Sequence, residues 1–106
     1  MWAYAFLGLA IVSEVIATSA LKASDGMSRL GPAAIVVIGY AIAFYLLALS
    51  LKSLPVGFVY AIWAGLGIIG VALIGAALFG ESFTTVKVAG IAMIVAGVAL
   101  VKLGTA

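Results

Sequence analysis

A single carboxylate lies in the middle of a long apolar stretch. Between Trp2 and Leu21 every other residue is apolar, small or hydroxyl-bearing, and Glu14 is the exception. An ionised acidic side chain at the centre of a bilayer costs about 2.5–3.5 kcal/mol on insertion scales. A helix that only anchors a protein has no reason to carry that cost, so Glu14 marks a functional centre. The chemistry open to it is proton exchange and attraction of a cation, although a protonated glutamate packed against a neighbouring helix would also be tolerated. Three- and four-residue spacing puts Leu7, Ala10, Ile11, Ala17, Thr18 and Leu21 on the face of Glu14, and the small Ala10 and Ala17 leave room beside it. Aromatic pairs at near-helical spacing, Tyr40 with Phe44 and Tyr60 with Trp63, offer ring faces to an organic cation. Such contacts are worth about 2 kcal/mol or more once desolvated. Aromatic stripes also face lipid or core, and Trp2 and Tyr4 fit an interfacial belt, so spacing alone leaves both readings open.

What must position these residues is a membrane bundle. Of the 106 residues 68% are hydrophobic and only 8% charged. A water-soluble domain of this size could not hide so much apolar surface. Apolar runs cover Trp2 to Leu21, Pro32 to Leu51, Gly57 to Phe79 and Val86 to Leu103, each near the ~20 residues that cross a ~30 Å hydrocarbon core. In the fourth, Lys87 and Lys102 can snorkel to opposite interfaces. The expected fold is all-α: four transmembrane helices forming one membrane domain over residues 1–106. Asp25-Gly26, Pro32, Pro55 and Gly80 supply turn and helix-boundary chemistry between the runs, with Thr84 or Thr85 as a cap for the fourth helix. The first run lacks a basic leader and carries Glu14, so it does not read as a signal peptide. With no Cys and no His, disulfides and the usual zinc ligand sets are excluded. The scattered net charge of +2 gives no reason to expect nucleic acid.

Glycines and charges add two expectations. Gly65 and Gly67 lie mid-helix in the third run, where a weakened helix can bend. Gly90 and Gly97 are one heptad apart in the fourth and allow close helix approach. Lys22, Arg29 and Lys87 fall on the side of loops 1 and 3, against Lys52 and Lys102 on the other. So even a count gives almost no positive-inside bias. Either one charge sets a single orientation, or the chain inserts both ways.

The segment Ser13-Glu14-Val15-Ile16-Ala17-Thr18-Ser19-Ala20-Leu21-Lys22 carries a resemblance. With it go Pro55-Val56-Gly57, then Tyr60-Ala61-Ile62-Trp63-Ala64-Gly65-Leu66-Gly67, and Gly90 with Gly97. Over essentially its whole length the chain resembles the small multidrug resistance transporters. The resemblance implies a proton-coupled exporter of the bacterial cell (inner) membrane, working as an antiparallel, dual-topology homodimer, without enzymatic activity or cofactor. It implies that protons and lipophilic organic cations share Glu14. It implies a chamber lined by Tyr60 and Trp63, with Tyr40, Phe44, Tyr4, Ala10, Ile11 and Thr18 nearby. Gly65 and Gly67 match the family's helix bend, and Gly90 and Gly97 its dimer contact. Ala17 and Ala64 stand where some multidrug members carry Gly and Ser, which tightens one wall and removes a hydroxyl. The guanidinium-exporting branch usually has a Trp three residues after the central Glu. This chain has Ala17 there, and Glu14 to Lys22 looks like the quaternary-ammonium branch. A guanidinium exporter, half of a heterodimeric transporter and a non-transporting assembly subunit are the alternatives.

Overall fold

A computed structural model of the chain describes residues 2–104. Four helices account for most of them: α1 (Trp2–Ala23), α2 (Leu30–Ser50), α3 (Val56–Leu78) and α4 (Thr85–Leu103), with no strand among the described residues. At 1.5 Å per residue, helices of 22, 21, 23 and 19 residues are about 29–35 Å long. That matches the ~30 Å hydrocarbon thickness, and all four are apolar enough to cross it. Lipid cannot satisfy free backbone groups, so unbroken helices are what such runs must form.

The helix ends differ slightly from the apolar runs. α2 begins at Leu30 rather than Pro32. Pro32 therefore falls in the first turn, where backbone N–H groups have no helical partner and none is lost to the ring. α1 continues to Ala23, and Ser24 then knots the loop. Its buried side chain donates to the Leu21 carbonyl at 2.6 Å and accepts the Met27 N–H at 3.0 Å. The Ser24 carbonyl accepts from the N–H groups of Ser28 and Arg29 at 3.0 Å each. This tight loop puts Asp25, Gly26 and Met27 in the left-handed region, with φ of 50°, 69° and 69°.

The chain divides into two compact units, Met1–Leu54 and Pro55–Ala106. In the first, α1 and α2 form an antiparallel hairpin. Its buried positions recur at three and four residues: Ala3, Leu7, Ala10, Ile11, Val15 and Ala17 on α1, and Val36, Gly39, Ala43 and Ser50 on α2. Ser19 and Ser50 donate to the carbonyls of Val15 and Leu47 in their own helices, at 2.8 and 2.7 Å, so their hydroxyls are satisfied at membrane depth.

In the second unit α3 pairs with α4. Gly80 adopts φ +66° after α3, and the N–H groups of Phe79 and Glu81 both meet the Gly75 carbonyl at 3.1 Å. The Glu81 carboxylate folds back over Gly75, where a side chain would obstruct it. Of the two candidate caps it is Thr84 whose hydroxyl accepts the Lys87 N–H, at 3.1 Å. The Lys87 ammonium donates to the Ser82 carbonyl at 2.7 Å and lies 5.8 Å from the Phe83 ring centre. At the other end of α4, Lys102 lies 5.9 Å from the Phe58 ring centre. Lys87 thus reaches back past the start of α4, as a cation flanking an apolar segment does, while Lys102 lies against the first turn of α3.

Candidate functional site

Glu14 sits half-buried on α1. Its Oε1 accepts a hydrogen bond from Thr18 Oγ1 at 2.8 Å, one helical turn on. Thr18 Oγ1 is in turn 2.6 Å from the Tyr40 hydroxyl on α2. A threonine hydroxyl has a single proton. With that proton given to Glu14, Tyr40 must be the donor in the second link. The result is a directed chain, Tyr40 to Thr18 to Glu14, that ends on the carboxylate.

The register that brings Tyr40 to Thr18 comes from the neighbouring turn. Ser13 Oγ donates to the Gly39 carbonyl at 2.8 Å. A Cβ added at Gly39 would lie 2.8 Å from the Ala17 Cβ and 3.4 Å from its Cα. No side chain fits there, so the missing Cβ lets α1 and α2 close up and fixes which residues face each other. Ala10 and Ala17 are fully buried. The small size of Ala17 therefore serves the seam with Gly39. Ile11 is buried as well.

The aromatic residues are distributed between the units. In the first, the Tyr40 and Phe44 rings lie 6.3 Å apart at 38°, and Phe44 and Tyr4 are largely exposed. Tyr60 and Trp63 belong to α3 in the second unit, Tyr60 exposed and Trp63 half-buried. α3 runs unbroken through Gly65 and Gly67, both buried. At Gly65 an added Cβ would meet Val98 Cγ2 at 2.7 Å, so this glycine lets α4 approach. Gly90 and Gly97 show the opposite: a Cβ at either meets nothing within 4 Å, and no residue of α4 is buried. That face is open.

Two features of the site lay outside the sequence reading. Four-residue spacing puts Thr18 on the face of Glu14, but it does not show that the Thr18 hydroxyl also bonds to Tyr40. The Ser13 bond to Gly39 had no signal, since its acceptor is a backbone carbonyl 26 residues away.

The comparisons with known proteins agree in direction. The family model for Small Multidrug Resistance protein matches residues 2–94. The chain is 50% identical over 103 residues to the Quaternary ammonium compound-resistance protein QacE of Escherichia coli, covering 97% of this chain and 94% of that one. It is 52% identical over 98 residues to the Quaternary ammonium compound-resistance protein QacF of Klebsiella aerogenes, covering 92% and 89%. Against the Multidrug transporter PA4990 of Pseudomonas aeruginosa identity is 45% over 100 residues, covering 94% and 91%. Four helices of membrane-spanning length and bacterial relatives along nearly the whole chain make this a multi-pass bacterial membrane protein. It belongs to the Small Multidrug Resistance protein family.

Proposed function

We propose that this protein exports quaternary ammonium compounds and other lipophilic or aromatic cations in exchange for protons, the two competing for Glu14. The observation that carries the reading is the half-buried Glu14 carboxylate on a membrane-spanning helix, held by a hydroxyl chain from the adjacent helix. The names of the relatives, resistance to quaternary ammonium compounds in QacE and QacF, favour that substrate class. Ala17 supports it too, since a tryptophan there would mark the guanidinium branch.

A bound organic cation neutralises an ionised Glu14, and a proton does the same, so each excludes the other. Exclusive occupancy couples the two fluxes: protons moving inward down their gradient drive the cation outward. The working unit in this reading is an antiparallel dual-topology homodimer in which both helix pairs of each chain form one membrane domain. Two Glu14 residues face one chamber, and Tyr60, Trp63, Tyr40, Phe44, Tyr4, Ala10, Ile11 and Thr18 are its proposed surroundings. Gly65 and Gly67 allow α3 to bend. The open Gly90 and Gly97 positions on α4 suit close approach of a second copy. Exchange of two conformations between identical chains then gives alternating access.

The test is reconstitution of this chain alone into proteoliposomes. An imposed proton gradient should drive accumulation of a labelled quaternary ammonium, and that cation should release protons from the detergent-solubilised protein. Guanidinium accumulated in preference to the quaternary ammonium would move the protein to the other branch. Absence of any gradient-driven flux would leave an assembly role or half of a heterodimeric transporter.

A further inference from the structure

At the end of the first unit away from loop 1, α1 begins and α2 ends. Trp2, Ala3, Phe6, Leu49, Lys52 and Ser53 line a cleft of about 210 Å³ there. Pockets for drug-sized ligands run to about 300–1,000 Å³, and the charge on this cleft is positive, so it is neither the size nor the sign for an exported cation. The Lys52 ammonium makes no ion pair or hydrogen bond with any described residue. The carboxylates of this unit lie elsewhere, Glu14 in the middle of α1 and Asp25 in the loop beyond its far end. Trp2, 76% exposed, stands at the start of a membrane-spanning helix, the depth where indoles sit among lipid headgroups.

The cleft is thus amphipathic in a particular order. Lys52 and Ser53 form a polar lip, and Ala3, Phe6 and Leu49 form an apolar wall on the membrane-spanning side of it. We propose that it binds the headgroup of an anionic phospholipid. The phosphate meets the Lys52 ammonium, the glycerol oxygens meet the Ser53 hydroxyl, and the first acyl methylenes lie along Phe6 and the Trp2 indole. Free phosphate would use the lip and leave the wall empty, whereas a lipid fills both. A lysine near an anionic lipid surface enriches that lipid about five-fold.

The chain has two tryptophans, so a Trp63→Phe background leaves Trp2 as the sole indole. That protein is reconstituted in mixed phosphatidylcholine and phosphatidylglycerol, with bromine carried by one lipid at a time, and Trp2 quenching reports which lipid lies beside it. Phosphatidylglycerol should be enriched about five-fold over phosphatidylcholine. Lys52→Arg should keep the enrichment and Lys52→Gln should bring it close to unity. Lys22→Gln, at the other end of the hairpin, should leave it unchanged. Inorganic phosphate at constant ionic strength should not displace the lipid. Equal quenching by both lipids in the unmodified background, or enrichment that survives Lys52→Gln, overturns the proposal. Loss of the enrichment on adding inorganic phosphate would show a site for the free anion, and the lipid assignment would be wrong.

Discussion

Replacing Gly39 by alanine tests whether the α1–α2 seam sets the geometry of the site. In a helix exposed on all sides, Gly→Ala gains about 1 kcal/mol of propensity. At Gly39 the new Cβ would lie 2.8 Å from the Ala17 Cβ. Carbon atoms prefer about 3.5 Å or more, so the helices must separate by roughly 0.7 Å. Ala17 has no flexible end that could move aside. Overpacking of this kind costs about 1–3 kcal/mol. The same separation stretches the Ser13–Gly39 and Thr18–Tyr40 hydrogen bonds, each worth about 0.6 kcal/mol between membrane helices. Set against the propensity gain, Gly39→Ala should destabilise by about 1–3 kcal/mol, with the opposite sign to the exposed case. Gly8, where a Cβ meets nothing within 4 Å, provides that case: Gly8→Ala should stabilise by about 1 kcal/mol. Unfolding in mixed detergent micelles, followed by helical circular dichroism, gives the free energies, and titration with a quaternary ammonium gives binding. Ala17→Gly combined with Gly39→Ala should recover most of the loss, giving a coupling of about 1–3 kcal/mol in the double-mutant cycle. A stabilised Gly39→Ala protein, or additive effects in the cycle, would refute the argument.

Four further outcomes follow from the same features. Glu14→Gln should fold and assemble but lose coupled export, while Glu14→Asp keeps a carboxylate one methylene shorter and should retain some coupling at a shifted pH optimum; normal cation-driven proton release from the Gln protein would contradict the mechanism. Thr18→Val removes the donor to Glu14 and should destabilise the protein by about 1.5–3 kcal/mol, the worth of a hydrogen bond to a charged group; Thr18→Ser should unfold like the unsubstituted protein in the same detergent series. Met27→Gly should raise the thermal midpoint, because a left-handed non-glycine residue costs about 1–2 kcal/mol and Met27 has φ 69°. Removing both Lys52 and Lys102 leaves positive charge only beside loops 1 and 3, which should fix one orientation; labelling of introduced cysteines from each side should then show one topology, and export should return only on coexpression with an oppositely fixed copy.

Much of the architecture was legible in the sequence because a bilayer imposes a length on every apolar run. The four runs and the four helices agree to within two residues at each end, and Gly80 and Thr84 sit where helix-boundary chemistry requires them. Glu14 was legible from cost alone. The arrangement around it was not. Periodicity says which residues of α1 share a face with Glu14, but it does not say what lies opposite. In a membrane helix that is apolar on all sides, no amphipathic stripe points to the core. Spacing offers the Tyr40 ring to a cation, but it gives no sign that the Tyr40 hydroxyl bonds to Thr18, a pairing fixed by the seam at Gly39 and Ala17. For the same reason spacing cannot tell that Ala17 is small because Gly39 packs against it.

The hydroxyl chain from Tyr40 to Glu14 has one more consequence, and it concerns information. Three oxygens in a row share two protons, and each link can point only one way. While Glu14 is ionised, both links point toward it. Once Glu14 takes up a proton of its own, its hydroxyl can become a donor to Thr18, and each link can then reverse direction. One helix thereby registers the charge state of the other through the rotation of two O–H bonds, with no heavy atom displaced. In the proposed exchange a proton and a cation would both neutralise this carboxylate, yet they would leave the two O–H bonds pointing differently.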